Sequence, residues 1–513
     1  MITNVAALVE TNAATMPDRV AIVDGDQQLS YRDLAERTLA MAAVLTAHGV
    51  TPGDRVAIRM RNRSEFLISS FAAWKIGAIT VPVNTRLHGR EVRFILDHSD
   101  AVCIITEAEL ATPDASDGHP APVIVVDDLD LAAGSPSTPR AAVDRLATSV
   151  THGEPVQRLM YTSGTTSRPK AVVITHQMVV HNMLTQVRDL GLTGDDRVLV
   201  PGPLFHIAAF DAPGIAVLFL GGTLVLHRRF DADEVLRSIE RERITGTVLV
   251  HPMGDRIVAA ADPNAAYDSM RWLSVGARSP VTARRMREIF PSARLVQGYG
   301  LTEACGTVTS LRNRPDKVGT VGSPVAFVEV AILDEGGSTV PIGEQGEVGV
   351  RGPKVSRSYW NAPSGPFSES EWLPTGDIGV LDEDGFLTLV DRKKDMIRTG
   401  GENVASSEIE RVLATHPSVA DIAVVAAQDR RWGEVPVAFI VPVPGSTPSP
   451  DDFEAHCARH LAKFKVPKRY VVVEELPRTA TGKVEKIKLR RLIDPAPDLE
   501  GSMTETTTPG GTR

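Results

Sequence analysis

An α/β protein is the fold this sequence predicts, with a large multi-part N-terminal domain and a small α+β C-terminal domain. Strand-like and helix-like runs alternate through the first half, the signature of βαβ units and a largely parallel sheet. Near residue 328 the texture changes to short strands and glycine-rich turns. At 513 residues the chain is too long for one ordinary core.

The elements follow in order. Residues 55–60, beginning Arg55-Val-Ala-Ile, read as a strand, and 64–74 carry apolar residues at helical spacing. Residues 78–83 are again strand-like, 91–98 a short helix and 101–106 a strand. The stretch 111–139 is rich in Asp, Pro, Ser and Ala and reads as surface connection around one strand at 123–126. Runs at 328–333 and 346–351, separated by turns such as Asp334-Glu-Gly-Gly, predict a small antiparallel β unit. Beyond Arg392-Lys-Lys-Asp395 the pattern is mixed: helix at 406–415, strands at 419–427 and 436–443, helix at 451–461. We place a large domain at 1–394 and a small one at 395–494. The tail 495–513, rich in Thr, Gly and Glu, reads as disordered.

Bulk composition narrows the class. Hydrophobic residues at 42% and charged residues at 23% fit a globular protein. A net charge of −9 argues against a general nucleic-acid binder. Cys103, Cys305 and Cys457 are scattered, with no metal-ligand spacing, as free thiols in a reducing compartment would be. No window reaches the roughly 20 apolar residues of a spanning helix, and residues 1–10 lack a signal-peptide pattern. We therefore expect a cytoplasmic protein with no integral membrane segment. Oligomeric state is not legible, and a homodimer is compatible with the chain.

The strongest local signal is Tyr161-Thr-Ser-Gly-Thr-Thr-Ser-Arg-Pro-Lys170. Small and hydroxyl residues, then a cation, suit a loop that wraps phosphates with backbone N–H groups and hydroxyls. It is not the GxxxxGK[ST] loop, since Ala171 follows Lys170. Taken alone, a Ser/Thr-rich surface turn reads the same way. It is followed, in order, by Pro203-Leu-Phe-His206, Gln297-Gly-Tyr-Gly-Leu-Thr-Glu303, Pro374-Thr-Gly-Asp377, Asp391-Arg-Lys-Lys-Asp395, Gly400-Gly-Glu-Asn403 and Thr481-Gly-Lys483. This ordered set, from about residue 29 to 492, resembles the adenylate-forming superfamily of acyl-CoA synthetases, luciferases and peptide-synthetase adenylation domains.

The resemblance implies a site, residue by residue. Thr162, Ser163, Gly164, Thr165, Thr166 and Lys170 would wrap the phosphates of ATP. Gly276, Ala277, Arg278, Gln297, Gly298, Tyr299 and Gly300 would line the nucleotide, with Tyr299 along the adenine, and Asp377 with Arg392 would hold the ribose. Thr302 would donate to the α-phosphate, and Glu303, with Thr166, would hold Mg2+, a hard cation that prefers oxygen ligands. Lys483 would be the lysine of the first half-reaction, bridging carboxylate and phosphate. No general base is needed there, because a carboxylate is already ionised at neutral pH. His206 would stand between the nucleotide and acyl sites, with Gly276 and Gly300 beside the acyl group; a packed or helix-capping His is the alternative. Lys394 would be the hinge about which the C-terminal domain moves between half-reactions. Gly400, Gly401, Trp432 and Gly433 would then line the thiol path, Trp432 being equally readable as a buried turn residue.

The chain departs from the pattern at Ser167 and Ala171, where glycine is usual, and at Arg278 in Ser274-Val-Gly-Ala-Arg-Ser-Pro280, which replaces Gly-Gly-Ala-Pro-Leu. His251-Pro-Met-Gly254 replaces Val-Pro-Thr, and Ser358 precedes Tyr359-Trp360 where glycine is frequent. These departures concern the substrate rather than the reaction. Amino-acid-activating relatives place an Asp after the aromatic of the His206 region, and Asp211 follows Phe210 here. The surrounding string nonetheless resembles the acyl-CoA synthetase version, so we expect a fatty, aryl or alicyclic acid, in a pocket lined from 207–219, 248–258 and the Val275 stretch. The implied reactants are that acid, ATP with Mg2+, and coenzyme A. A phosphopantetheine carrier protein is the alternative acceptor, and a non-catalytic acyl or nucleotide sensor the alternative class.

Overall fold

The computed structural model describes residues 4–112, 118–131, 155–162, 169–250, 252–262, 265, 267–276, 280–312, 314–317, 319–362, 371–479 and 483–493. The chain forms two compact units, Met1–Leu389 and Val390–Arg513. The expected tail 495–513 lies outside the described residues, as do 113–117 and 132–139 of the 111–139 connection.

Two large sheets organise the first unit. One has six strands, in the order Val123–Val125, Ala101–Thr106, Arg55–Arg59, Ile79–Pro82, Val156–Thr162, Lys170–Thr175. All its neighbours are parallel except the last pair. The other has nine strands and a parallel centre: Arg294–Leu301, Trp272–Val275, Gly246–Leu249, Arg197–Val200, Thr223–Leu226 and Val20–Asp24. The expected parallel layers are therefore present as two sheets rather than one.

Helices Tyr31–Ala47 and Ser64–Lys75 share one apolar core with strands of both sheets, including Ile22, Leu224, Val56 and Ile58. In Ser64–Lys75 every residue but Glu65 is buried. Its Ser69, Ser70, Ala72 and Ala73 are small enough for close packing on several sides, while Phe66, Phe71 and Trp74 fill the space between. Ser30 starts Tyr31–Ala47 with a reciprocal capping box to Asp33. Further helices cover the outer faces: Ala232–Arg241 and Met253–Ala260 on the nine-stranded sheet, Gly89–Ser99 on the six-stranded one. The predicted β unit is a four-stranded sheet, Glu329–Leu333, Gln345–Arg351, Leu373–Leu381 and Leu387–Arg392.

In the second unit, Gly433–Pro442 lies between Val419–Asp429 and the parallel strand Arg469–Val472, with the hairpin Ile397–Thr399/Glu402–Val404 alongside. Helices Ser406–Leu413 and Pro450–His460 cover one face and Lys486–Ile493 the other. Residues ahead of the expected hinge already belong to this unit. Asp391 Oδ2 accepts from Ser406 Oγ at 2.8 Å and from Ser407 N–H at 3.2 Å, capping the helix Ser406–Leu413. Arg490 Nη2 donates to the Lys394 carbonyl at 3.2 Å and to Asp395 at 2.7 Å.

Candidate active site

Several of the sequence-predicted groups of the first unit follow the carboxyl ends of its parallel strands. Arg197–Val200 runs into the loop of His206, Trp272–Val275 into Gly276, and Arg294–Leu301 into Thr302 and Glu303. Val156–Thr162 leads into Ser163. Carboxyl ends of parallel strands are where open α/β sheets leave a crevice for ligands. Thr162 and Lys170 are antiparallel partners, so the two ends of the phosphate-type segment face each other. Ser163, Gly164, Thr165 and Thr166 lie outside the described residues, as do Ser167, His251, Ala277 and Arg278.

Glu303 sits in the single turn Thr302–Ala304 just past its strand. Its backbone carbonyl accepts from Ser356 N–H at 2.6 Å, and Tyr359 Oη donates to its Oε1 at 3.1 Å. Burial, and then the neighbouring carboxylate, push the Tyr359 phenol well above its usual range, so the phenol is the donor. Among the described residues no lysine or arginine pairs with Glu303, and none of them form a cluster of three or more metal-binding side chains. One unpaired carboxylate suits Mg2+, which takes one or two protein carboxylates and completes its shell with substrate phosphates and water.

Tyr299 and Asp377 meet although 78 residues apart: Tyr299 Oη donates to Asp377 Oδ2 at 2.5 Å. Asp377 is buried. The sequence reading put it after a tight turn. It lies instead within the strand Leu373–Leu381, at a register shift where Gly376 takes φ +75°. Gly376 N–H donates to Glu347 Oε1 at 2.9 Å and Thr375 Oγ1 to the Val348 carbonyl at 2.9 Å. The bulge aims Asp377 out of its ladder, a common use of such kinks. Gly300 has a local reason too: a Cβ there would stand 2.3 Å from the Gly306 carbonyl oxygen. Gln297 pairs with Leu311 and Gly298 with Ser310 along the same antiparallel ladder.

His206 caps the short helix Ile207–Ala209, its Nδ1 accepting from Ala208 N–H at 3.4 Å. That assigns the neutral ring's proton to Nε2. Buried Asn62 fastens this loop, donating to the Gly202 carbonyl at 2.6 Å and accepting from Leu204 N–H at 2.7 Å. The expected acyl-lining segments do converge: a Cβ on Gly202 would lie 3.6 Å from Ala209 and 4.0 Å from Met253, and one on Gly254 3.3 Å from Val275. Many residues of 207–219 are core, however, including Ile207, Phe210 and Ile215. Ala208, Ala209, Ala212 and Phe219 are the partly exposed ones.

Asp211 is not placed to meet a substrate ammonium. It is buried and accepts from Arg158 Nη2, itself buried. The Arg158 guanidinium also lies over the Phe210 ring at 5.1 Å. Asn182 Nδ2 donates to the Asp211 carbonyl at 3.1 Å, while its Oδ1 accepts from the buried Lys354 Nζ at 2.8 Å. Burial raises the Asp211 pKa and lowers that of Lys354 to about 8. Asp211 has its counter-cation inside the protein.

In the second unit Gly400 and Gly401, with φ +59° and +87°, form the two-residue tip of the hairpin Ile397–Thr399/Glu402–Val404. Two positive φ values in succession are what such a tight hairpin needs, and glycine supplies them without strain. Gly400 N–H donates to the Trp432 carbonyl at 2.8 Å, and Gly433 pairs with Thr399. The four expected thiol-path residues thus form one cluster. Trp432 is 44% exposed rather than buried, with Arg431 stacked on it at 4.8 Å. Lys483 is exposed on a loop closed by a bridge between Arg478 and Val484, its N–H donating to Thr479 Oγ1 at 3.2 Å. Arg392 and Lys394 also belong to this unit.

The sequence reading missed Tyr359, Asn62, Arg158 and Lys354. Tyr359 was visible as part of a Tyr-Trp pair, but nothing local marks a contact made 56 residues away.

Comparison with known proteins agrees with this geometry. The model of the AMP-binding enzyme family matches residues 9–360, and that of the AMP-binding enzyme C-terminal domain residues 408–483. The 2-succinylbenzoate–CoA ligase of Bacillus licheniformis is 35% identical over 484 residues, covering 93% of this chain and 98% of that one. A feruloyl-CoA synthase of Amycolatopsis is 36% identical over 487 residues, with 93% and 97% covered. The o-succinylbenzoate coenzyme A synthetase of Bacillus subtilis, solved with ATP and a magnesium ion, superposes with a TM-score of 0.84 at 32% identity, over 95% of this chain and 99% of that one. With the family model matching residues 9–360 and these relatives matched over nearly their whole length, the chain belongs to the AMP-binding enzyme family, within the adenylate-forming superfamily, beside acid–CoA ligase relatives.

Proposed function

We propose that this chain is an AMP-forming acid–CoA ligase acting on a carboxylic acid with an aryl or other bulky apolar body. The acid's carboxylate oxygen attacks the α-phosphorus of ATP, and pyrophosphate leaves. The coenzyme A sulfur then attacks the acyl carbon, and AMP leaves. The observation that carries the reading is the pair of contacts joining Glu303 to Lys170 through Tyr359, just past the strand on which Tyr299 donates to Asp377.

Each group has a task in this reading. Thr162 and Lys170 flank the phosphate loop. Tyr299 covers the adenine, and Asp377 accepts from the ribose hydroxyls with Arg392 assisting. Glu303 holds Mg2+, which when bound neutralises phosphate charge. Thr302 donates to the α-phosphate. Lys483 offsets the charge that builds between carboxylate and phosphate. His206 separates the nucleotide from the acid. The second unit turns about Lys394 and brings Gly400, Gly401, Trp432 and Gly433 to the thiol path.

Asp211 supports an acid without an α-amino group, since Arg158 already neutralises it. The named substrates of the relatives, 2-succinylbenzoate and ferulate, favour an aryl acid over a fatty or alicyclic one. As part of this reading we assign the reaction to the cytoplasm, where the free, buried Cys103, Cys305 and Cys457 would stay reduced. No helix among the described residues is long and apolar enough to cross a membrane.

The test is acid-dependent pyrophosphate release with ATP and Mg2+, across aryl, fatty and alicyclic carboxylates, with and without coenzyme A. Turnover that rises with coenzyme A and yields acyl-CoA from an aryl acid supports the reading. Acyl-AMP that accumulates regardless of coenzyme A replaces it with a carrier-protein loader. ATP binding without release from any acid replaces it with a sensor.

A further inference from the structure

Tyr359 touches two candidate groups at once. Its hydroxyl donates to Glu303 Oε1 at 3.1 Å, and the Lys170 ammonium lies over its ring, 5.2 Å from the centroid. A cation at that distance is attracted by the ring face. The backbone around Tyr359 is fastened to the strand that Lys170 begins. Tyr359 forms a bridge with Val172, Val173 N–H donates to the Ser358 carbonyl at 3.3 Å, and Trp360 N–H donates to the Ala171 carbonyl at 2.8 Å. Ser356, on the same segment, donates its N–H to the Glu303 carbonyl at 2.6 Å and its hydroxyl to the Val173 carbonyl at 2.8 Å. One segment therefore holds Glu303 by main chain and by side chain, and ties it to the strand of Lys170.

A carboxylate with one oxygen engaged by a fixed donor presents the other in a set direction, as outer-shell partners do for metal ligands. We infer that Tyr359 is a positioning residue for the metal–nucleotide complex, orienting Glu303 toward the divalent cation and steadying Lys170 toward the phosphates. The inference rests on reading Glu303 as the cation's carboxylate. Tyr359 itself touches neither cation nor nucleotide in this account.

The test separates the two contacts and uses binding rather than turnover. Tyr359→Phe keeps the ring beneath Lys170 and removes the hydroxyl. Tyr359→Leu removes both. Glu303→Gln tests the underlying reading. For each full-length variant, Mn2+ affinity in the presence of a non-hydrolysable ATP analogue is measured by electron paramagnetic resonance. Affinity for the metal-free analogue is measured by calorimetry, and the thermal midpoint confirms folding. Tyr359→Phe is expected to weaken Mn2+ binding about 10-fold, the low end for loss of an outer-shell partner, with metal-free binding unchanged. Tyr359→Leu is expected to weaken both. If Glu303→Gln weakens Mn2+ binding while Tyr359→Phe matches the wild type, the role of Tyr359 is overturned and that of Glu303 stands. If Glu303→Gln has no effect, the Glu303 reading fails and the inference with it. Equal losses of metal-bound and metal-free affinity in a folded Tyr359→Phe protein would show a general packing role and overturn the inference as well.

Discussion

Glu303 is held by Tyr359 and Asp377 by Tyr299, across 56 and 78 residues of sequence, whereas Gly400, Gly401 and Lys483 sit on loops closed by their own backbones. Beneath the first group lies a buried polar cluster of Arg158, Asp211, Asn182 and Lys354. Beside the second is a half-exposed Trp432. The difference separates two kinds of preparation. The first unit fixes its groups before any substrate arrives, so its residues trade stability against function. The second displays its groups on tips that can be altered without disturbing a core. Substitutions in the first unit's buried cluster should therefore change folding, whereas those at the second unit's tips should change one half-reaction and leave folding intact.

The largest effect expected is on stability. Arg158→Met leaves the Asp211 carboxylate buried without its cation, which costs about 3–5 kcal/mol in comparable buried pairs. Chemical denaturation would measure it. A loss below about 1 kcal/mol, the value of an exposed pair, would break the contrast between the two regions. Next is Lys483→Ala, expected to slow acyl-AMP formation by about 10²- to 10³-fold, as loss of one transition-state donor does. Thioester formation from supplied acyl-AMP should stay near the wild-type rate, with the melting temperature unchanged. Equal damage to both half-reactions would remove the assignment of Lys483 to the first step.

Asp377→Asn comes third. It weakens a buried acceptor that already binds the Tyr299 hydroxyl, so KM for ATP should rise about 10-fold, the scale of one charge-assisted hydrogen bond. Tyr299→Phe should shift the same constant by less. An unchanged KM for ATP in Asp377→Asn, measured by pyrophosphate release at saturating acid, would make the Tyr299–Asp377 contact structural only.

How much of this was legible in the sequence follows from the range of each interaction. The helix Pro450–His460 was readable because its start is local: Ser449 caps it and Asp452 completes the box. The strand Ala101–Thr106 was readable from six residues of apolar, β-branched character. The bulge at Asp377 was not, since Thr-Gly-Asp serves a turn and a bulge equally and only the neighbouring strand decides. The two-sheet arrangement was not legible either, because a strand's own pattern does not name its neighbour. Asp211 shows the limit most clearly. Its position after Phe210 offered an amino-group partner, and the residue that takes its charge, Arg158, stands 53 residues earlier.

The smallest effect is a slope with pH, and it too tests whether the buried cluster acts as one unit. Burial holds Lys354 near a pKa of about 8, below its ordinary 10.5. Between those values the unfolded chain keeps the proton and the folded chain releases it. The unfolded state then binds more protons, so stability rises with pH through this window. Below about pH 8 both states are protonated and the contribution is flat. The slope is at most about 1.4 kcal/mol per pH unit, the value for one proton. Urea denaturation of the wild type and of Lys354→Met, from pH 7 to pH 9.5, isolates it, since the variant has no proton to release there. A wild-type curve parallel to that of Lys354→Met would mean that Asn182 and the Thr307 carbonyl, which accept from Lys354 at 2.8 and 2.7 Å, hold its ammonium as well as water does. The first unit's interior would then resemble the exposed tips of the second in its electrostatics, and the comparison would rest on packing alone.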